Sequence, residues 1–161
     1  MPSRIPHRYW NAAAALYAYL YIELAKLGVD VVGESQLVGF PSQFPSVTMI
    51  DWTTGKPNAR YWALKLIKDN FHRGDKLVGP PSGLFSSPEI AIQAFITPAG
   101  HKVLLVNKTN QEETVKLQAD LANGATWTVD EATGENAPRL GKANGDTLKL
   151  APFAVEVLEA P

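Results

Sequence analysis

The spacing of apolar positions changes partway along the chain, from a helical three-and-four rhythm before residue 74 to strict alternation after residue 89. Residues 11–27 (NAAAALYAYLYIELAKL) are strong helix formers, with Asn11 as the expected N-cap and Gly28 as the stop. Leu16, Leu20, Leu24 and Leu27 fall on one stripe with Tyr17 and Tyr21 beside it, so this helix is expected to cover a sheet with its leucine face. Residues 29–37 begin with Val29-Asp-Val-Val, turn polar at Gly33, Glu34, Ser35 and Gln36, and read as a buried strand. Two prolines make residues 40–45 a loop, and residues 47–51 read as a second short strand. The turn Thr53-Thr-Gly-Lys-Pro57 then opens a helix over 58–71, with Tyr61, Leu64, Ile67 and Lys68 recurring at helical spacing and Trp62 and Leu66 on an adjoining face.

Gly74, Gly79-Pro-Pro-Ser-Gly83 and Ser86-Ser-Pro88 form a breaker-rich link. Beyond it, segments 90–96, 102–107, 113–117, 126–130, 147–150 and 153–158 are strand-like, separated by turns such as Pro98-Ala-Gly-His101 and Ala143-Asn-Gly-Asp146. Short strands at such regular intervals indicate an antiparallel sandwich. The expected fold class is therefore α+β: a partial α/β segment over residues 1–75, then an antiparallel β-sandwich over 76–161.

Composition narrows the functional classes. Forty-five per cent hydrophobic and 19% charged residues place the 161-residue chain among globular domains. Fifteen basic residues against sixteen acidic leave a formal net charge of −1, which gives no field for a nucleic-acid backbone or an anionic membrane. There is no cysteine, and His7, His72 and His101 show no paired spacing, so no metal and no cofactor are expected. Tyrosines, lysine and glutamate interrupt residues 12–27, which therefore read as neither a signal peptide nor a membrane span.

The order helix, strand, loop, strand, amphipathic helix and β-module, and above all Met49-Ile-Asp-Trp-Thr-Thr-Gly-Lys-Pro-Asn-Ala-Arg-Tyr-Trp62, resembles the end of retaining (β/α)8-barrel glycosidases. The likeness is closest to the heparanase and β-glucuronidase group (glycoside hydrolase family 79), with the β-xylosidase and α-arabinofuranosidase groups as relatives. It implies that residues 12–27 are the seventh barrel helix and 29–37 the eighth strand, with both catalytic glutamates on strands that would precede Met1. The stretch before the link is far too short to close a barrel, which takes about 200–250 residues.

Glu34 is the best candidate carboxyl within the chain, because Gly33-Glu-Ser-Gln36 stands where a barrel strand would deliver side chains to its C-terminal end. Asp51 is the nearest second carboxylate in sequence; it serves equally as a cap for the turn that follows it. A retaining pair requires a separation of about 5–5.5 Å and an inverting pair about 6.5–9.5 Å. Gln36 is the accompanying substrate-binding candidate, and Tyr9, Trp10 and Trp52 stand at element ends where an aromatic face can stack on a sugar ring. Three readings follow: a non-catalytic carboxyl-terminal piece of a glycosidase, a small glycosidase using Glu34 and Asp51 and completed by a second copy, or a carbohydrate-binding module. All three have carbohydrate as partner. Helices shaped to cover a sheet, with few strands to cover, predict either self-association or pairing with the missing barrel portion.

Overall fold

The computed structural model describes residues 5–38, 47–79 and 87–160; the proline loop at 40–45 and link residues 80–86 lie outside the described residues. Two helices, α1 (His7–Lys26) and α2 (Ala59–Asn70), precede eight strands. These are β1 (Lys76–Val78), β2 (Ile90–Thr97), β3 (Gly100–Asn107), β4 (Glu113–Lys116), β5 (Ala125–Val129), β6 (Arg139–Lys142), β7 (Thr147–Leu150) and β8 (Val155–Glu159). The strands form a six-stranded antiparallel sheet in the order β1-β2-β3-β8-β5-β6, and a separate β4-β7 pair. The chain is thus α+β, a partial α/β segment followed by an antiparallel β-sandwich.

The pleat divides the central strands between two cores. Ala91 and Phe95 of β2, Leu104 and Val106 of β3, Val129 of β5 and Val155 and Val157 of β8 face the helices. Their neighbours Ile90, Ile92, Ala94, Val103, Leu105 and Leu158 face the β4-β7 pair and pack with Val115 and Leu150. With both faces covered, β2 is buried from Ile90 through Phe95. Phe71 stacks on Phe95 with ring centroids 4.1 Å apart, and the Lys108 ammonium sits 4.8 Å from the Tyr19 ring, which ties both helices to the sheet.

The described strands occupy all six expected segments. β1 and β6 were not expected: β1 is three residues long, and Arg139-Leu-Gly-Lys142 is exposed throughout and shows no alternation.

Four expectations are corrected. First, α1 begins at His7 behind Pro6, and Asn11 is a full turn inside it, 1% exposed, with neither amide atom hydrogen-bonded. The stop at Gly28 holds: Gly28 adopts φ +75°, the Gly28 amide donates to the Ala25 carbonyl, and the Val29 amide donates to the Leu24 carbonyl. Second, the leucine stripe does not cover the sheet, since Leu16, Leu20 and Leu27 are 55%, 41% and 78% exposed. The face turned inward is Asn11, Ala14, Ala15, Ala18 and Ile22, whose small side chains let α1 lie close against both α2 and the sheet. Third, residues 29–37 form no strand, and Val31 is 84% exposed. Fourth, residues 47–51 contribute only isolated bridges, Val38 with Ile50 in parallel and Ile50 with Pro57 in antiparallel. The backbone groups of this segment pair irregularly instead: the Met49 and Ile50 amides donate to the Gln36 and Leu37 carbonyls, and the Met49 carbonyl accepts from the Asn58 amide.

Candidate functional site

The polar cluster built around Glu34 draws on four pieces of chain. Asn58 caps α2: its side chain accepts from the Arg60 amide at 3.0 Å and donates to the Thr48 carbonyl at 2.7 Å. This fixes the first turn of α2 against residues 47–50 and aims Arg60 inward. Arg60 is 3% exposed. Its Nη1 donates to the Val47 carbonyl and its Nη2 to the Tyr17 hydroxyl, with the guanidinium 4.5 Å from the Tyr17 ring centre. The Glu34 Oε2 lies 3.8 Å from Arg60 Nη2. The Glu34 charge also acts on the Tyr17 phenol. Burial raises the Tyr17 phenol above its ordinary value, against the pull of Arg60 and with the help of Glu34. Tyr21 is raised too, by burial first and then by the Glu34 and Tyr17 charges. Tyr17 therefore stays a neutral phenol that accepts from Arg60, and Glu34 is ion-paired with the same guanidinium. That arrangement suits orienting a hydroxyl or bracing a chain segment.

Asp51 stands at the head of its own turn. Its Oδ1 accepts from the Thr53 and Thr54 amides, both at 2.8 Å, its amide donates to the Lys56 carbonyl, and its carbonyl accepts from Gly55. The structure thus brings Glu34 together with Tyr17 and Arg60, while the turn that precedes α2 engages Asp51. Gln36 is exposed and left-handed at φ 63°, and its carbonyl accepts from the Met49 amide. Trp52 is 53% exposed. Tyr9, 43% exposed, meets Trp10 edge to face at 5.2 Å, and Trp10 packs against the helix-side core. Tyr61 and Trp62 belong to α2; the Trp62 Nε1 donates to the Glu135 carbonyl at 2.9 Å, joining that helix to the β5–β6 loop.

Sequence reasoning missed Arg60 and the role of Tyr17. A signal was available: Arg60, Ala63 and Leu66 recur along one side of α2, so a cation lies in an otherwise apolar stripe. A buried arginine demands an acceptor, and Glu34 is one of those it finds.

The sequence profile described as D-apionate lactonase, C-terminal immunoglobulin-like domain, matches residues 89–158. No curated protein sequence matches the chain. Among solved structures, the glycoside hydrolase family 30 subfamily 8 xylanase of Clostridium acetobutylicum superposes with a TM-score of 0.67 at 12% identity, over 93% of this chain and 39% of that one. The catalytic domain of the family 30 xylanase C of Talaromyces cellulolyticus gives 0.67 at 14% identity, over 92% and 35%. A conserved exported protein of Bacteroides fragilis gives 0.63 at 15% identity, over 98% and 35%. The chain therefore has the fold of a part of these proteins and spans between 35% and 39% of their length.

Proposed function

We propose that this chain is the carboxyl-terminal part of a retaining barrel glycosidase, non-catalytic by itself, with residues 1–75 its last barrel elements and 76–161 its sandwich. The observation that carries this reading is the two-faced helix α1. Its alanine face packs into the core shared by α2 and the sheet, while Leu16, Leu20, Leu27, Val31 and Leu37 are exposed, and Val38 bridges Ile50 in the parallel sense of a barrel. The likeness to family 30 xylanases over nearly the whole chain supports it, and the run from Met49 to Trp62 keeps the heparanase and β-glucuronidase group as the nearer relative proposed. On this reading the outward face seats further barrel elements, or in their place a second copy of the chain. Glu34 and Gln36 then act as orienting residues in a carbohydrate context. The partners already held by Glu34 and Asp51 favour that role over a catalytic pair.

The test is an assay of the purified chain on xylan, aryl β-xylosides and aryl β-glucuronides. The expected result is no turnover above the blank. Turnover abolished by Glu34→Gln would overturn the proposal and install the Glu34/Asp51 pair in its place.

A further inference from the structure

A concavity of about 360 Å³ lies where the start of α1, the turn before α2 and the β5–β6 loop converge, lined chiefly by His7, Lys56, Glu131, Gly134, Glu135 and Asn136. None of these residues belongs to the Glu34 cluster. The loop that builds most of it is held by its own hydrogen bonds. Thr133 donates its amide to Asp130 Oδ1 at 3.0 Å and its hydroxyl to the Asp130 carbonyl at 2.7 Å, while the Asn136 amide and side chain both donate to the Thr133 carbonyl. Asp130 is 3% exposed and is bridged by Arg139 at 2.9 Å. At Gly134 the backbone is left-handed, φ +57°, and a Cβ there would fall 3.0 Å from two atoms of the His7 ring. Glycine thus lets the histidine close the wall. Lys56 reaches Glu135 at 3.3 Å, and Glu131 is exposed at the rim.

We propose that this concavity binds a neutral sugar. Two carboxylates against one ammonium repel anionic ligands, and the mainly polar lining offers little to an apolar one. Ring hydroxyls match it in both directions: they donate to the Glu131 and Glu135 carboxylates and accept from the Lys56 ammonium and the Asn136 amide. The volume falls at the small end of the range for ligand sites, about 300–1,000 Å³, which suits one or two sugar rings. The turn that presents Lys56 is closed by the Asp51 amide on the Lys56 carbonyl at 2.9 Å. The choice of ligand class rests on the carbohydrate reading above; the location of the site does not.

Titration of the isotope-labelled full chain with xylotriose, and separately with glucuronate, followed by amide NMR, tests it. The expected result is saturable millimolar shifts at Gly134, Glu135 and Asn136 with xylotriose and not with glucuronate. Glu131→Gln weakens binding about tenfold or more, with the rest of the spectrum unchanged. Saturable shifts absent from these amides, affinity unchanged in Glu131→Gln, or glucuronate binding as tightly as xylotriose would each overturn the proposal. Hydrolysis of aryl glycosides by the chain would sink the preceding reading and leave this one standing. Xylotriose shifts confined to another part of the molecule would do the reverse.

Discussion

Residues 29–38 and strand β2 start from similar material and end differently. Val29-Asp-Val-Val and Ile90-Ala-Ile-Gln are both short, β-branched runs beside a turn. β2 has β1 on one side and β3 on the other, helices over one face and the β4-β7 pair over the other, and Ile90 through Phe95 are buried. Residues 29–38 obtain a single parallel bridge at Val38, and Val31 stays 84% exposed. Strand propensity is a fit to neighbours, and without ladders it is not expressed. The same contrast runs through the helices, whose inner faces share the sandwich core while the outer leucines meet solvent.

The contrast can be broken from the sandwich side first. Leu104 is 2% exposed and faces the helices from the middle of the large sheet. Leu104→Ala is expected to cost about 2–5 kcal/mol and to loosen both regions together in urea unfolding; a helix signal that survives the sheet would show two independent units. Arg60→Met is the next largest, about 2–3 kcal/mol, because it strands the Val47 carbonyl and the Tyr17 hydroxyl. Hydrogen exchange should then quicken at Ile50 and Asn58 while β2, β3 and β8 keep their protection. Uniform acceleration would erase the distinction between the regions.

A smaller effect depends on pH. Glu156, 3% exposed within the sandwich, accepts from Thr128 at 2.7 Å through Oε2, while its Oε1 has no partner. Burial raises its carboxyl, outweighing the Thr128 bond and the Arg139 charge. The folded protein keeps this proton after the unfolded chain has lost it, so this group makes stability fall as pH rises from the ordinary carboxylate range through the raised value. Glu156→Gln should therefore gain on the parent as the solution goes from acidic to neutral, read from melting curves; parallel curves would refute it. The smallest change in stability, within about 0.5 kcal/mol, is expected for Leu16→Glu with Leu20→Lys on the outer stripe. Sedimentation should nonetheless show self-association of the parent and its loss in this variant, and a parent that stays monomeric at all concentrations would dispose of that role for the stripe.

The sandwich was legible because alternation at the period of the pleat reports directly which residues go inward; β3, for example, was read to within two residues of its start. The inner face of α1 was not. Alanine scores low as a core residue, so the eye follows leucine, yet close approach to α2 and the sheet favours the small side chains. β6 escaped because Arg139-Leu-Gly-Lys142 is an exposed edge whose strand character comes from pairing with β5. Of the candidate site, Glu34 was found from its place after the valines, whereas Arg60 and Tyr17 come to it across 26 and 17 residues of chain, a distance that local pattern does not span.

The placement of β8 between β3 and β5 bears on how the molecule is made. Until that strand leaves the ribosome, β1-β2-β3 and β5-β6 are separate ribbons, each with a naked edge, and the helices have only part of a surface to dock on. Synthesis from the amino terminus thus assembles almost every piece before the one that joins them. A nascent chain stalled short of Val155 should present two sticky borders at once, which makes the interval before β8 emerges the one in which a chaperone matters most.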